Sequence, residues 1–224
     1  LLIYKKMSIF KENLTSKLLQ EASIKIVNKQ NSISKILELG CGDGNISKYL
    51  LKNKKKKNIL SASDISKKAI KVAKQKFEQK INFKTGDLFS PWVGQKFNII
   101  ISDVSSINDQ VAILSPWYKN IKCSCGQDGL NNIKNILADI DKHAEKKCLF
   151  ILPIISLCNT SKLSNLLKRK FKKVLLTKKK EWPLPKFFEE NITQFKILKI
   201  QKKIEFRKKF GIYIAYTRVA ICKL

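Results

Sequence analysis

Residues 36–47, Ile-Leu-Glu-Leu-Gly-Cys-Gly-Asp-Gly-Asn-Ile-Ser, contain the pattern that decides the fold. The apolar run 36–39 predicts a short buried strand, and residues 46–51 suit a helix. Between them, glycine occupies every second position of 40–44, which lets the backbone turn sharply and approach a ligand closely. A strand, a glycine loop and a helix in this order are typical of doubly wound α/β folds, and we expect the helix to aim free amide groups at the same ligand.

The spacing of this loop differs from the dinucleotide pattern G-x-G-x-x-G. Asn45 occupies the position where that pattern has its last glycine, and an acid, Glu38, lies two residues before the first glycine, Gly40. An ordinary strand-to-helix turn is the alternative to a ligand-binding loop.

Acidic residues also end the next two predicted strands. Residues 58–64 are predicted to form a strand that ends at Asp64. Residues 81–88 are predicted to form a third strand, which ends within the sequence Gly-Asp-Leu-Phe at 86–89. A carboxylate at the tip of the second strand can accept hydrogen bonds from both hydroxyls of a ribose. Asp64 or Ser66 can also cap the following helix, and the two roles are compatible.

The pattern E-x-G-x-G-x-G, followed by Asp-Ile-Ser at 64–66, resembles the class I S-adenosylmethionine-dependent methyltransferases. The resemblance implies S-adenosylmethionine as cofactor and no metal. It also implies that the glycines admit the methionine part, that Asp64 binds the ribose and that Asp87 and Leu88 lie beside the adenine. The cofactor contacts expected from it are Glu38, Gly40, Cys41, Gly42, Asp43, Gly44, Asp64, Ile65, Asp87 and Leu88.

A narrower resemblance lies in Gly-Asp-Leu-Phe at 86–89 and Gly-Gln-Asp-Gly-Leu at 126–130, which are similar to segments of the HemK-type glutamine-N5 methyltransferases. That group has N-P-P-Y after its fourth strand, whereas this chain has Asp-Val-Ser-Ser at 103–106. Asp103 is therefore the tentative catalytic residue, as a group that orients the substrate or as a base. The alternative is a structural or cofactor-side role.

The acceptor of the methyl group is the least determined part of this hypothesis. Similarity to the HemK-type group favours a protein or a small molecule. An RNA acceptor is the second hypothesis, and a catalytically inactive methyltransferase-like binding module is the third.

The formal net charge of +29 allows two interpretations. Lysine-rich surfaces bind the phosphates of nucleic acids. However, only three of the 46 basic residues are arginine (Arg169, Arg207 and Arg218), and arginine is the residue that specific phosphate recognition favours. A solvated surface with a biased composition is the alternative to a polyanionic partner.

A chain of 224 residues with 44% hydrophobic residues suits a single globular domain. Its apolar runs are shorter than the roughly 20 residues that span a bilayer. We expect a cytoplasmic protein without membrane contact, in which Met7 is a candidate initiator. The six cysteines are expected to be reduced, and His143, the single histidine, is expected to be exposed.

The order of elements predicts a Rossmann-like, seven-stranded, mostly parallel sheet with helices on both faces. An N-terminal helical segment, 1–30, precedes the methyltransferase domain, 31–224. Its helix, 8–30, is either a lid on the cofactor or a packing helix. The aromatic pair Trp117 and Tyr118 is either a wall of the substrate site or part of a satellite core cluster. Residues 181–195 are a substrate cover or a dimer contact.

Overall fold

The computed structural model describes residues 13–77, 80–118 and 123–224. The helices are α1 (Leu14–Asn28), α2 (Asn45–Asn53), α3 (Lys67–Phe77), α4 (Asp109–Leu114), α5 (Asn131–His143), α6 (Thr160–Lys170), α7 (Lys186–Glu190) and α8 (Ile192–Ile200). The strands are β1 (Lys35–Leu39), β2 (Ile59–Asp64), β3 (Asn82–Thr85), β4 (Phe97–Ser102), β5 (Ala144–Ile155), β6 (Lys173–Leu176), β7 (Lys180–Pro183), β8 (Arg207–Lys209) and β9 (Ile212–Lys223). Short 3₁₀ turns form at Ser90–Trp92 and Pro116–Tyr118.

One mixed sheet organises the chain, in the order β3-β2-β1-β4-β5-β9-β6. Neighbouring strands from β3 to β5 are parallel, and β9 runs antiparallel to both β5 and β6. The predicted fold class is therefore confirmed. The sheet has nine strands and not seven, because β7 and β8 pair with the first half of β9.

Alternating side chains of the strands feed two apolar cores on opposite faces of the sheet. On one face, α5 and α6 cover residues such as Leu37 and Phe150. On the other, α1, α2 and α3 cover residues such as Ile36 and Ile99. Both faces of the parallel strands are thus buried, as expected for a sheet built from crossover connections. Within the described residues, no helix combines the length and apolarity needed to cross a membrane.

The N-terminal helix begins later than the sequence predicts. Asn13 caps α1 by accepting a hydrogen bond from the backbone amide of Ser16. Residues 8–12 of the predicted helix and Met7 lie outside the described residues. The first turn of α1 reaches two strands, because Ser16 contacts Asp103 after β4 and Thr15 contacts Thr217 of β9.

The first half of β9 extends beyond the carboxyl end of β5. Thr217 is the partner of Ile155, the last residue of β5, so residues 212–216 continue past it. Strands β7 and β8 flank this part of β9, and we call β7, β8 and residues 212–217 the β-extension. A third apolar core, which includes residues of α4, α7 and α8, lies against the β-extension. The predicted cover at 181–195 therefore belongs to a folded part of the domain.

Candidate active site

The glycine loop joins β1 to α2 with three residues in the left-handed region. Gly40, Gly42 and Gly44 have φ angles of 73°, 54° and 86°. A Cβ on Gly40 would lie 2.9 Å from Val104 Cγ1, so glycine here lets the loop after β4 approach closely. A Cβ on Gly42 would meet no atom within 4 Å, which identifies Gly42 as the open side of the loop.

Most amide groups of this loop bind within the protein. The amides of Gly40 and Cys41 both donate to the carbonyl oxygen of Ser63, at 2.8 and 3.0 Å. The amide of Gly42 donates to Asp64 Oδ2 at 2.9 Å. These three amides are therefore already used, whereas a pyrophosphate-binding loop offers such amides to its ligand.

Glu38 connects β1 to the start of α2. Its buried carboxylate accepts hydrogen bonds from the backbone amide of Ser47, at 3.0 Å, and from the Ser47 hydroxyl. The expectation of free helix amides aimed at a ligand is wrong for Ser47, because the carboxylate occupies the position that a phosphate would take. Glu38 thus stabilises the loop, and its predicted contact with a cofactor stays a prediction.

Asp64 is held in place at the end of β2 by two backbone amides. Its Oδ1 accepts a hydrogen bond from Ser66 at 2.8 Å, and its Oδ2 accepts the bond from Gly42. Each carboxylate oxygen has two lone pairs, so one on each oxygen is left for a ligand hydroxyl. The side chain of the next residue, Ile65, is 72% exposed and offers an apolar surface beside the acid.

The turn after β3 lies beside the end of β2. The amide of Gly86 donates to the carbonyl oxygen of Asp64 at 3.1 Å, and the Ser63 hydroxyl donates to the carbonyl oxygen of Leu88 at 3.2 Å. Asp87 is exposed, and Leu88 is half-buried against the core with a φ of 44°. The structure therefore brings Asp87 and Leu88 to the same edge as Asp64.

The side chains of Cys41 and Asp43 are both engaged within the protein. Cys41 is buried, and burial raises the pKa of its thiol strongly. The Asp43 carboxylate forms a 2.6 Å ion pair with Lys76 of α3. Both side chains hold the loop to its surroundings, which leaves their backbone as the part available to a cofactor.

Asp103 lies at the same edge, directly after β4. Its amide donates to the carbonyl oxygen of Leu39 at 3.0 Å, and its Oδ2 accepts a hydrogen bond from the Ser16 hydroxyl at 3.2 Å. Burial raises the pKa of this carboxyl to about 7, and the bond from Ser16 acts in the opposite direction. Asp103 is thus poised to exchange a proton near neutral pH.

Three acids from neighbouring strands influence one another at this edge. Burial raises the pKa of Glu38 to about 8, hydrogen bonds from Ser47 lower it, and the charges of Asp103 and Asp64 raise it further. Such a cluster disfavours negative charge and favours a cationic ligand. This electrostatic field suits a cofactor that carries a positively charged sulfonium. The glycine loop suits it as well, because the loop amides that would bind a phosphate already bind protein acceptors.

Both members of the aromatic pair, Trp117 and Tyr118, pack against the third apolar core. Trp117 packs edge-to-face on Trp182 and Phe187, with ring centroids 5.9 and 5.3 Å apart, so it belongs to the satellite core. The Tyr118 hydroxyl forms a hydrogen bond with Ser105, close enough to Asp103 for that acid's charge to affect its titration, and burial raises its pKa.

A cavity of about 440 Å³ lies beside Tyr118. Its lining comes from α4, from the residues between α4 and Tyr118, from Cys123 and from Phe187 of α7. No spacing in the sequence predicts that Tyr118, which borders this cavity, lies close to Asp103. The Tyr118 hydroxyl reaches Ser105, two residues after Asp103, only in the folded protein.

His143 is not the exposed residue that the sequence predicts. It is buried at the end of α5, where its ring stacks on Phe89 with centroids 4.4 Å apart. Its Nδ1 lies 3.2 Å from the carbonyl oxygen of Gln95. The polar residues around it in sequence face the solvent, whereas the helical period turns His143 inward with Ile136 and Ile140.

Comparisons with known proteins agree with this architecture. The family model described as a methyltransferase domain matches residues 36–123. No curated protein matches the sequence. Among solved structures, a ribosomal protein L11 methylase from Lactobacillus delbrueckii subsp. bulgaricus is similar, with a TM-score of 0.57 and 14% identity over 95% of this chain and 80% of that chain.

Two further structures show the same fold. The YcgJ protein from Bacillus subtilis has a TM-score of 0.57 and 10% identity, over 92% of this chain and 98% of its own. The T. thermophilus 16S rRNA N2 G1207 methyltransferase, solved with AdoMet and guanosine, has a TM-score of 0.54 and 12% identity, over 95% of this chain and 43% of its own.

The fold is that of the class I S-adenosylmethionine-dependent methyltransferases. The matched segment, 36–123, is described as a methyltransferase domain, and a similar structure with the same fold was solved with AdoMet, which is S-adenosylmethionine. The glycine loop, the free lone pairs of Asp64 and the exposed Ile65 fit that cofactor. The narrower HemK-type assignment stays a prediction.

Proposed function

We propose that this protein is an S-adenosylmethionine-dependent methyltransferase and that it transfers the methyl group to an N–H or O–H nucleophile held at Asp103. The observation that carries the proposal is the position of Asp103, which follows β4 and is bonded through its amide to the last residue of β1. It therefore lies next to the glycine loop, at the edge where open α/β sheets bind their ligands.

The bound cofactor supplies an electrophilic methyl group on a sulfonium. We propose that Gly40, Gly42 and Gly44 admit its methionine part and that Asp64 binds the ribose hydroxyls. Ile65, Asp87 and Leu88 then surround the adenine. Support comes from the open side of Gly42 and from the two amides that fix the Asp64 carboxylate.

Asp103 acts on the nucleophile in one of two protonation states. When ionised, it accepts a hydrogen bond from the attacking N–H or O–H and can take its proton as the new bond forms. When protonated, it cannot accept that proton. Ser16 favours the ionised form, because its hydroxyl donates to Oδ2. The other contribution of the site is alignment of the two reacting groups.

Tyr118 is the second residue that we place at the acceptor. Its ring borders the 440 Å³ cavity, and its hydroxyl binds Ser105, two residues after Asp103. Asp-Val-Ser-Ser at 103–106 has neither the prolines nor the aromatic residue of N-P-P-Y. A ring from another loop therefore takes the place of the missing aromatic residue.

Two acceptor classes compete. Similarity to the HemK-type group favours a protein or a small molecule. RNA is favoured by a separate observation, the exposed basic surface that lies beyond the carboxyl end of β5. The similar structures include enzymes named for a ribosomal protein and for 16S rRNA, so the shared fold does not choose between these classes.

The test is a transfer assay with radiolabelled S-adenosylmethionine against separated protein, RNA and metabolite fractions. We expect label in one fraction, and we expect Asp103→Asn to reduce it about a hundredfold, the lower end of general acid–base contributions. Asp139→Asn, which removes an exposed acid of α5, is the matched control and should transfer at the normal rate. Transfer by Asp103→Asn at the normal rate would contradict the role of Asp103. Cofactor binding with no label in any fraction would indicate an inactive binding module.

A further inference from the structure

The β-extension stands beside the proposed acceptor site. β9 runs antiparallel to β5, and five residues separate Thr217 from the start of β9, or roughly 17 Å of strand. This length projects past the carboxyl edge of the sheet, where Asp103 lies. The first turn of α1 contacts both the β-extension and Asp103, because Thr15 Oγ1 lies 3.2 Å from Thr217 Oγ1 and Ser16 contacts Asp103.

The two faces of the β-extension differ in character. Trp182, Tyr213 and Ala215 contribute to the third apolar core. The cross-strand pairs Arg207–Ile214 and Lys209–Ile212 belong to the opposite face, since directly paired residues share a face and alternate along the strand. On that face Arg207, Lys209 and Ile212 are exposed, while Ile214 and Tyr216 are half-buried. It also holds a shallow cavity of about 200 Å³.

An aromatic ring forms the tip of this surface. Phe210 connects β8 to β9, and its side chain is 91% exposed. Phe210 and Gly211 both have positive φ angles, 49° and 80°, as a tight two-residue hairpin requires. An exposed phenylalanine in a conformation that favours glycine is not explained by packing, which points to a contact with another molecule.

Basic residues surround this ring. Segments 178–181 and 202–209 contain eight basic residues and two acidic ones. Both acids are engaged, since Glu181 pairs with Arg207 and Glu205 binds Thr160 and Tyr216. Lys179 and Lys209 are exposed, and their ammonium groups lie over the rings of Tyr216 and Phe210, so the open face presents an excess of positive charge.

We propose that the open face of the β-extension, with Phe210 at its tip, binds a single-stranded segment of RNA that carries the methyl acceptor. Lysine and arginine side chains neutralise the phosphates and release counterions. The Phe210 ring stacks on an unpaired base, a contact that suits any base because each has a flat aromatic face. The proposal rests on the proposed methyl transfer, and it specifies RNA as the acceptor class.

The test measures binding of a fluorescent, unstructured 20-nucleotide RNA by anisotropy at about 50 to 300 mM salt. We expect affinity to fall steeply with salt. Lys179→Gln/Lys209→Gln should weaken binding at least about tenfold, and Phe210→Ala at least about fivefold, the lower range for stacking on one base. The matched control is Lys55→Gln/Lys57→Gln, which removes the same charge from exposed residues before β2, at the opposite edge of the sheet.

Three results would overturn the proposal. The first is no RNA binding by the wild type at low salt. The second is an equal loss in the two double-lysine variants, which would reduce the effect to net charge. The third is unchanged affinity of Phe210→Ala. If RNA does not bind, binding to phosphatidylserine vesicles would assign the surface to a membrane. Calorimetry with S-adenosylhomocysteine separates this failure from that of the proposed function, because the variants should all keep wild-type cofactor affinity and melting temperature.

Discussion

Ser16 of α1 donates a hydrogen bond to Asp103, 87 residues further along the chain, with an Oγ–Oδ2 distance of 3.2 Å. The bond favours the ionised carboxylate and so opposes the burial that raises the pKa of Asp103 to about 7. The N-terminal helix therefore does more than pack on the sheet. It adjusts the protonation of the residue on which we place the chemistry.

Removing this bond should shift the pH dependence of transfer. In Ser16→Ala the pKa of Asp103 rises further, by roughly one unit, since one unit corresponds to about 1.4 kcal/mol and a bond to a charged group contributes on that scale. The acidic limb of the pH–rate profile should therefore move to higher pH, with normal activity regained at alkaline pH. Ser161→Ala, on exposed α6 surface, is the control. An unshifted limb in Ser16→Ala would mean that Asp103 does not control the rate.

Substitutions at two glycines should separate folding from cofactor binding. Gly40→Ala places a Cβ 2.9 Å from Val104 Cγ1 at a φ of 73°, and we expect it to lower the free energy of unfolding by about 2 kcal/mol. Gly42→Ala meets no atom, so its smaller cost is that of the left-handed conformation, about 1 kcal/mol. Its Cβ enters the proposed methionine site, however, and should weaken cofactor binding strongly.

Denaturant titration and calorimetry measure these two effects. We expect Gly40→Ala to lose more stability than Gly42→Ala. We expect folded Gly42→Ala to lose more cofactor affinity than its own loss of stability explains. Wild-type affinity in Gly42→Ala would place the cofactor elsewhere.

Asp103 should also make stability depend on pH. Its pKa is about 7 when folded and near 4 when unfolded, so between these values the folded state binds more protons. Stability therefore falls as pH rises through this window, and the full cost is present above pH about 7. Asp103→Asn removes the ionisable group. We expect its melting temperature without cofactor to match that of the wild type at pH about 4 and to exceed it at pH about 8 by roughly 8 °C or more, because three pKa units correspond to about 4 kcal/mol and each kcal/mol to about 2–4 °C.

Thermal unfolding across this pH range provides the check, with Asp139→Asn as the control because that acid is exposed. A difference between Asp103→Asn and wild type that is constant with pH would show that Asp103 titrates normally.

Local patterns predicted the backbone elements around the glycine loop. The strand, the glycine spacing and the acid after the second strand are short-range features, and they recur in the structure as β1, the loop at 40–44 and Asp64. The same patterns do not predict which residue a side chain binds in the folded protein. The hydrogen bonds from Ser47 to the Glu38 carboxylate, for example, could not be predicted, although a buried acid needs donors and the first turn of α2 supplies them.

The parts that the sequence missed depend on contacts between distant segments. β7 contains a proline and β8 is three basic residues, so neither shows the apolar alternation that indicates a strand. Both form because the long β9 offers free edges to pair with. The contacts of Ser16 with Asp103 and of Tyr118 with Ser105 likewise arise only after folding. The periodicity of apolar residues along the chain cannot predict these contacts.

Calorimetric titration of the wild type with S-adenosylhomocysteine tests the central claim most directly. We predict a dissociation constant in the micromolar range, about −8 kcal/mol, and at least about tenfold weaker binding by Asp64→Ala, because one carboxylate accepts both ribose hydroxyls. Asp139→Ala should bind as the wild type does. Absence of detectable binding by the folded wild-type protein would contradict the cofactor site and, with it, the proposed methyl transfer.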